Sequence, residues 1–439
     1  MNLELPAPEV YYDPQGKCYF IRNDRGCFIQ VTESNVKSML RQKGMLDKPR
    51  QGDFVSEIDR FLNDTRVKRD VDYAGPLAGY PVGHVKVQGR RVLVTEPPTF
   101  IPAVDGGWAT LEKLFRGLLG PDAEDVHRIR DAQIVHFYSW LKVAMTTLRA
   151  EKRRPGQVLV VAGPAGSGKS FLQNLVTRLL GGRSAKPYQY MTGATQFNSD
   201  LFTAEHLMVE DEAASFDFRV RVKMGAMLKG QVVNEDQRCH PKHGKPVTLR
   251  PFWRTSMTLN DDPESLMVLP PLEGISDKVM LFRAHKTEMP MSTETLEQWG
   301  AFMALIDAEM PAFVYFILNR FEIPESLRCG RYGVKHFHHQ ELLDMMSVLS
   351  PETKLLELID AKLFPKGSGS INDWEGKASE LETEICGTGS SVAHEARKLL
   401  IYNSACGQYL GRIAHMHPER VQKSGVIKGF TYWKICAPK

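Results

Sequence analysis

Residues 163–170 read Gly-Pro-Ala-Gly-Ser-Gly-Lys-Ser, a glycine-rich turn closed by a lysine and a hydroxyl. The spacing G-x-x-x-x-G-K-S suits phosphate chemistry. Its glycines let successive backbone N–H groups converge on phosphate oxygens at a helix amino terminus, where the helix dipole also favours an anion. An apolar run, Val158–Ala162, precedes the turn, and a helical pattern, Phe171–Leu180, follows it up to Gly181-Gly182. That strand, turn and helix context gives the motif its weight. The expected nucleotide-binding residues are Gly163, Pro164, Ala165, Gly166, Ser167, Gly168, Lys169, Ser170 and Phe171, with Lys169 reaching the β- and γ-phosphates and Ser170 ligating Mg2+. A cradle binds without hydrolysing, so a strand ending in acids is needed as well. Leu207–Val209 followed by Glu210, Asp211 and Glu212 supplies one about forty residues downstream. Asp211 is expected to hold the Mg2+ shell and Glu212 to act as general base toward a lytic water. Glu210 replaces either acid if the register slips by one. ATP and Mg2+ are the cofactors this pair of motifs calls for.

Positioning such a pair requires an α/β sheet with mostly parallel strands, and the chain offers five apolar segments separated by helices or loops. They are Val158–Ala162, a region near Tyr188–Thr192, Leu207–Val209, Val247–Leu249 and Trp253–Leu259. The 439 residues, 42% hydrophobic and 25% charged, suffice for two or three cores and exclude a disordered tail or a disulfide-stapled miniprotein. The formal charge is only +4, so any nucleic-acid contact must come from local patches. Seven scattered cysteines without a C-x-x-C pair favour a reducing compartment and argue against a structural metal. With no leader pattern and no run of about 18 apolar residues, a cytoplasmic location is expected.

The segment from Lys229 to Asn260 narrows the class. With the phosphate loop and the acidic strand, it resembles a superfamily 3 helicase of the AAA+ type, with a B′ hairpin from Val232 to Pro246 and a motif C strand ending in Asn260. Beyond these motifs, the chain from Trp108 to Ile435 is similar, more loosely, to phage- and prophage-associated primase-helicase proteins, although no primase signature precedes the core. The resemblance implies that Asn260 orients the lytic water and senses the γ-phosphate; the alternative is a cap on the following helix. It implies that the hairpin bases Arg238, His240, Lys242, His243 and Lys245 grip a DNA backbone inside a ring, a sequence-independent and salt-sensitive contact. It also implies a homo-oligomeric ring, a hexamer, whose neighbouring subunit supplies a cation to the departing phosphoryl group. Lys278 stands where the family has arginine, which departs from the pattern because lysine lacks the planar fork. Arg283 is the second candidate and Arg254 the outside one.

The flanks complete an expected division. Residues 1–103 form a small α+β module with hairpins turning at Asn23–Gly26 and Gln88-Gly89, and 104–150 form a helical oligomerisation region with Ile134, Phe137, Leu141 and Met145 on one face. Residues 151–292 are the ATPase core, 293–365 a helical region and 371–439 a winged-helix module after a flexible linker. From His394 to Lys439 the chain has eight bases and two acids, a net +6 on a near-neutral body. Three helices and a hairpin turning near Lys423–Gly425 suit duplex DNA docking, with Arg412, Arg420, Lys423 and Lys428 on phosphates. A DNA-binding initiator or loader that recruits a partner such as a separate primase is the competing function. A small-molecule kinase would leave the hairpin and the tail unexplained.

Overall fold

In a computed structural model, the described residues are 8–120, 129–152, 154, 156–210, 218–242, 244–348, 350–365 and 373–438. They form two compact units: residues 1–261 with 268–339, and residues 262–267 with 340–439.

The first unit is built on a five-stranded sheet of β1 (Val158–Ala162), β2 (Ser184–Ala185), β3 (His206–Glu210), β4 (Arg254–Leu259) and β5 (Val279–Arg283), all parallel, in the spatial order β5-β1-β4-β3-β2. Every residue of β1 is buried, as expected of a central strand covered on both faces. Two of the five expected strand segments differ. Tyr188–Thr192 is a helix that ends at Gly193 in the left-handed region, and the β2 position is taken by the two residues Ser184-Ala185. Val247–Leu249 leaves the sheet to pair with Gln237–Cys239, because Val247, Leu249 and Cys239 bury against Leu77, Val92 and Trp253. A short run of alternating or apolar residues does not by itself say which sheet it joins.

Helices Ala109–Leu119 and Ile129–Arg149 cover this sheet. Ile134, Phe137, Leu141 and Met145 share one cluster with Leu159 and Val161 of β1 and with Met280 and Phe282 of β5. The apolar face of the expected oligomerisation region is therefore spent within its own chain. Helix Leu296–Tyr315, continued as a π turn to Arg320, is apolar over a span long enough to cross a membrane, yet its Phe302, Ile306, Met310 and Phe313 lie in the same buried cluster.

At the amino end, where the sequence between Tyr11 and Val31 predicts two strands about the turn Asn23–Gly26, there are three antiparallel strands, Val10–Asp13, Cys18–Arg22 and Phe28–Val31, because Pro14–Lys17 makes an additional turn. Helices Glu33–Gln42 and Glu57–Lys68 follow, capped by the side chains of Thr32 and Ser56. The hairpin Gly83–Val87 with Arg90–Val94 turns at Gln88 and Gly89, both left-handed, as its sequence indicates. Its Val87, Val92 and Val94 pack with Leu201, Phe202 and Leu207, which fuses this module to the sheet.

The second unit gathers helix Pro351–Leu363, strand Trp374–Lys377, helices Ala378–Cys386, Ala393–Leu399 and Ala405–Met416, and a hairpin of Val421–Ile427 with Phe430–Ile435. The first strand pairs with the last, giving a three-stranded sheet. Three details depart from expectation. The sequence pattern predicts a helix over Glu375–Ile385, but Glu375 lies in a strand and the helix starts at Ala378. The hairpin turns at Lys428-Gly429, with φ of 50° and 81°, while Lys423 to Gly425 is a bulge. Helix Pro351–Leu363 belongs with this unit, because Leu355, Leu358 and Ile359 pack with Leu381, Leu410 and Trp433; the expected boundary after 365 would have cut through that core.

Candidate nucleotide site and basic hairpins

The carboxyl ends of β1, β3, β4 and β5 lie along one edge of the sheet, and the strand order switches there, since β1 lies between β4 and β5 rather than beside β2. Ligands of open α/β sheets bind at such switch points. The phosphate loop leaves β1 there. Gly166 and Gly168 adopt φ of 73° and 94°, which a side chain would strain, and at Gly163 a Cβ would come within 2.4 Å of the Ala284 carbonyl oxygen. Helix Lys169–Leu179 starts directly after the left-handed Gly168. The Lys169 Nζ is folded into the loop, donating to the carbonyls of Gly163 at 2.7 Å and Pro164 at 2.8 Å, with Asn260 Oδ1 at 3.4 Å. Ser167 is buried, and its Oγ has no hydrogen-bond partner among the described residues. Pro164 is half-buried, Ala165 and Ser170 are exposed, and Phe171 packs 5.7 Å from Phe302. A buried lysine held by carbonyl oxygens and an orphaned hydroxyl fit a phosphate group, which would bring oxygens to both.

Glu210 closes β3 and pairs with Lys186 at 2.8 Å. Asp211 and Glu212, the expected metal ligand and general base, lie outside the described residues, as does His243. Asn260 follows β4 and meets Lys169, so two motifs far apart in sequence share one mouth. It does not cap the next helix; Asp262 does, its Oδ1 accepting from Ser265 N at 2.8 Å.

Behind the loop runs a buried polar chain that motif reading misses. Gln173 Nε2 donates to Ser256 Oγ at 2.7 Å, Ser256 Oγ meets His206 Nε2 at 2.7 Å, and His206 Nδ1 meets Thr177 Oγ1 at 2.7 Å. These bonds tie the phosphate-loop helix to β3, which ends at Glu210, and to β4, which leads into Asn260. Burial pushes the His206 pKa down to about 3, so the ring is neutral. The only sequence hint is a polar residue at each of these positions in otherwise apolar segments.

The three candidate cations differ in place. Arg283 ends β5 beside the loop of its own chain, paired with Asp261 at 3.5 Å, and its N–H donates to Gln133 Oε1 at 2.7 Å. Lys278 precedes β5 at the opposite end of the sheet, about 16 Å away at ordinary strand rise. It is buried, with its Nζ paired to Asp277. Arg254 is fully buried, donating to the carbonyls of Arg154 at 3.0 Å and Trp253 at 2.9 Å. Burial lowers its pKa to about 9. Locked in that way, Arg254 cannot reach a neighbouring subunit.

Two basic hairpins are also present. In the first, Gln237–Cys239 pairs with Val247–Leu249, and Asn198 clamps it by donating to Arg238 O at 2.9 Å and accepting from His240 N at 2.7 Å. Arg238, Lys242 and Lys245 are exposed, and the half-buried His240 ring lies 5.2 Å from Phe197. In the second unit, the expected phosphate contacts split. Arg412 pairs with Glu352 at 2.8 Å and Arg420 with Asp360, both binding helix Pro351–Leu363 to the rest of the unit. Arg420 Nε also donates to Cys436 O at 3.1 Å. Lys423 and Lys428 remain exposed, Lys423 over the Trp433 ring at 5.6 Å.

The profile of a family of unknown function, DUF5906, matches residues 161–270, from the end of β1 to just past Asn260. No curated protein sequence matches the chain. Among solved structures, an apo form of the NrS-1 C-terminal region aligns with a TM-score of 0.56 and 12% identity, over 98% of this chain and 96% of that one. A second apo structure of the same region gives 0.55 at the same identity and coverage. JCV helicase, at a TM-score of 0.25 and 14% identity over 49% of this chain and 60% of that one, is too distant to bear on the fold. The chain shares its overall fold with the C-terminal region of NrS-1.

Proposed function

We propose that this protein is an ATP-driven motor on nucleic acid, a superfamily 3 type AAA+ ATPase that works as a homo-oligomeric ring. The observation that carries the reading is the meeting of Lys169 and Asn260 at the mouth of the parallel sheet, with the buried Ser167 hydroxyl beside them. ATP with Mg2+ supplies the γ-phosphoryl group whose transfer to water drives the cycle. The chain's own part is positional. The phosphate-loop amides and Lys169 would hold the anion, Ser170 and Asp211 would hold the metal, Glu212 would take a proton from water and Asn260 would orient that water. Arg283, beside the loop of its own chain, acts within the subunit. Lys278, at the far end of β5, is the cation for a neighbour's site once its pair with Asp277 opens. The second unit serves as a winged-helix module on duplex DNA, a reading supported by its helices and terminal hairpin, with Lys423 and Lys428 as its phosphate contacts.

Turnover by the full chain with and without a single-stranded oligonucleotide tests the reading. DNA should stimulate hydrolysis, Lys169→Ala should abolish nucleotide binding, and Glu212→Gln should bind ATP without turnover. Unchanged hydrolysis in Glu212→Gln would remove that residue from its role. A protein that hydrolyses ATP equally well with and without DNA would not be this motor.

A further inference from the structure

The amino-terminal module carries no motif, yet it braces the first basic hairpin at both ends. At the tip, the Lys245 N–H donates to Gln15 Oε1 at 2.8 Å, and Gly244 lies so close that a Cβ there would come within 2.9 Å of the same oxygen. At the root, Gln88 Nε2 donates to both carboxylate oxygens of Asp236, at 3.0 and 2.9 Å, and Arg250 holds the same carboxylate. Between these ties, Cys239 and Val247 bury against Leu77 and Val92. The hairpin is thus a braced ridge rather than a free arm.

That bracing sets the turn Pro14–Lys17 against the hairpin tip, and Lys17 is two residues from the contact. Lys17, Arg238, Lys242 and Lys245 are all exposed. None of the four forms an ion pair among the described residues, whereas Arg41, Arg50, Arg66 and Arg91 in the same module are each matched by a carboxylate. Unpaired cations on a fixed frame repel one another, a cost that a polyanion relieves. Beside the hairpin tip, a cavity of about 580 Å³ is lined by Asp13, Asp72 and Asp200 as well as by Lys245, three carboxylates against one cation, a balance that would repel phosphate. The charge pattern therefore keeps a strand on the rim and out of the cavity.

We propose that the amino-terminal module is part of the nucleic-acid grip. Lys17 joins Arg238, Lys242 and Lys245 in one row of cations that binds the sugar-phosphate backbone of a single strand. This inference rests on the reading of the hairpin as a backbone contact and extends it to a region that reading does not include.

The test uses the full chain and a fluorescein-labelled oligo-dT, with affinity followed by anisotropy across a salt series of about 0.05 to 0.2 M. Lys17 has φ of 50°, so Lys17→Asn removes the charge while tolerating the left-handed backbone. Losing one phosphate contact should lower the slope of log affinity against log salt by about 0.7, which is about fivefold in affinity near 0.1 M. Lys242→Ala should do the same. If Lys17→Asn leaves the slope unchanged while Lys242→Ala lowers it, the module takes no part in binding. If neither changes it, the hairpin itself is no backbone contact, and both readings fall together.

Discussion

The hairpin at 237–249 and the hairpin at 421–435 are both short and basic, yet they spend their charge in opposite ways. In the first, the paired strands are only three residues each, and the frame is supplied from outside by Asn198, Gln15 and Gln88. Its own Arg238, Lys242 and Lys245 stay in solvent, without carboxylate partners among the described residues. In the second, the strands are longer and anchor themselves, with Val421, Trp433 and Ile435 buried. There Arg420 and the neighbouring Arg412 are consumed by Asp360 and Glu352. Around the exposed Lys428 at the tip of that hairpin stand apolar side chains, Val426, Ile427 and Phe430, exposed by 69%, 56% and 60%. A positive count in a segment is therefore not a count of cations available to a ligand, because a base that holds its own fold together has its hydrogen bonds already committed.

This contrast can be broken most sharply at Arg420, whose side chain is 16% exposed. Arg420→Ala leaves Asp360 without its cation and the Cys436 carbonyl without its donor, and should destabilise the second unit by about 2 kcal/mol. Urea unfolding measures this. A variant of wild-type stability that binds DNA poorly would return Arg420 to the role of a phosphate contact.

A comparable effect separates the unit that carries the first hairpin, through pH. His206 has its folded pKa depressed to about 3, while the unfolded chain titrates near 6.5. Below pH 6.5 the unfolded state takes up the proton first, so the stabilisation is fully present above that pH and is lost progressively as pH falls toward about 3. Between pH 7.5 and 5 the loss should be about 2 kcal/mol, at up to about 1.36 kcal/mol per unit once the unfolded ring is mostly protonated. His206→Asn should flatten this part of the stability curve, and an unaltered curve would show that His206 does not titrate in this way.

The smallest effect is expected at the tip of the second hairpin. Ile427→Ala and Phe430→Ala remove exposed groups and should change stability by less than about 0.5 kcal/mol. A larger loss on unfolding would mean that the apolar tip is covered.

The shape of the glycine-rich loop was legible because it is local: eight consecutive residues between a strand and a helix fix the backbone, and Gly166 and Gly168 announce the left-handed angles they adopt. The turn Gln88-Gly89 is legible for the same reason. The turn at Lys428-Gly429 was misplaced to Lys423–Gly425, since Ser424-Gly425 has equal turn chemistry and only the cross-strand pairing of Ile427 with Phe430 selects between them. Val247–Leu249 was assigned to the wrong sheet, because its apolar alternation fits any half-buried partner.

By itself, the sequence determined the strand that leads into the phosphate loop, the loop and its helix, the alternation of strands and helices that makes a parallel sheet, and where positive charge is concentrated. Each of these depends on neighbours within a few residues. Tertiary structure alone decided the strand order that brings Asn260 to Lys169, the burial that removes Arg254 from use, the ion pairs that occupy Arg412 and Arg420, and the contact that sets Gln15 against Lys245. These are pairings between residues tens to hundreds of positions apart, and the free energy that selects them comes from burying apolar area and satisfying polar groups throughout each unit at once.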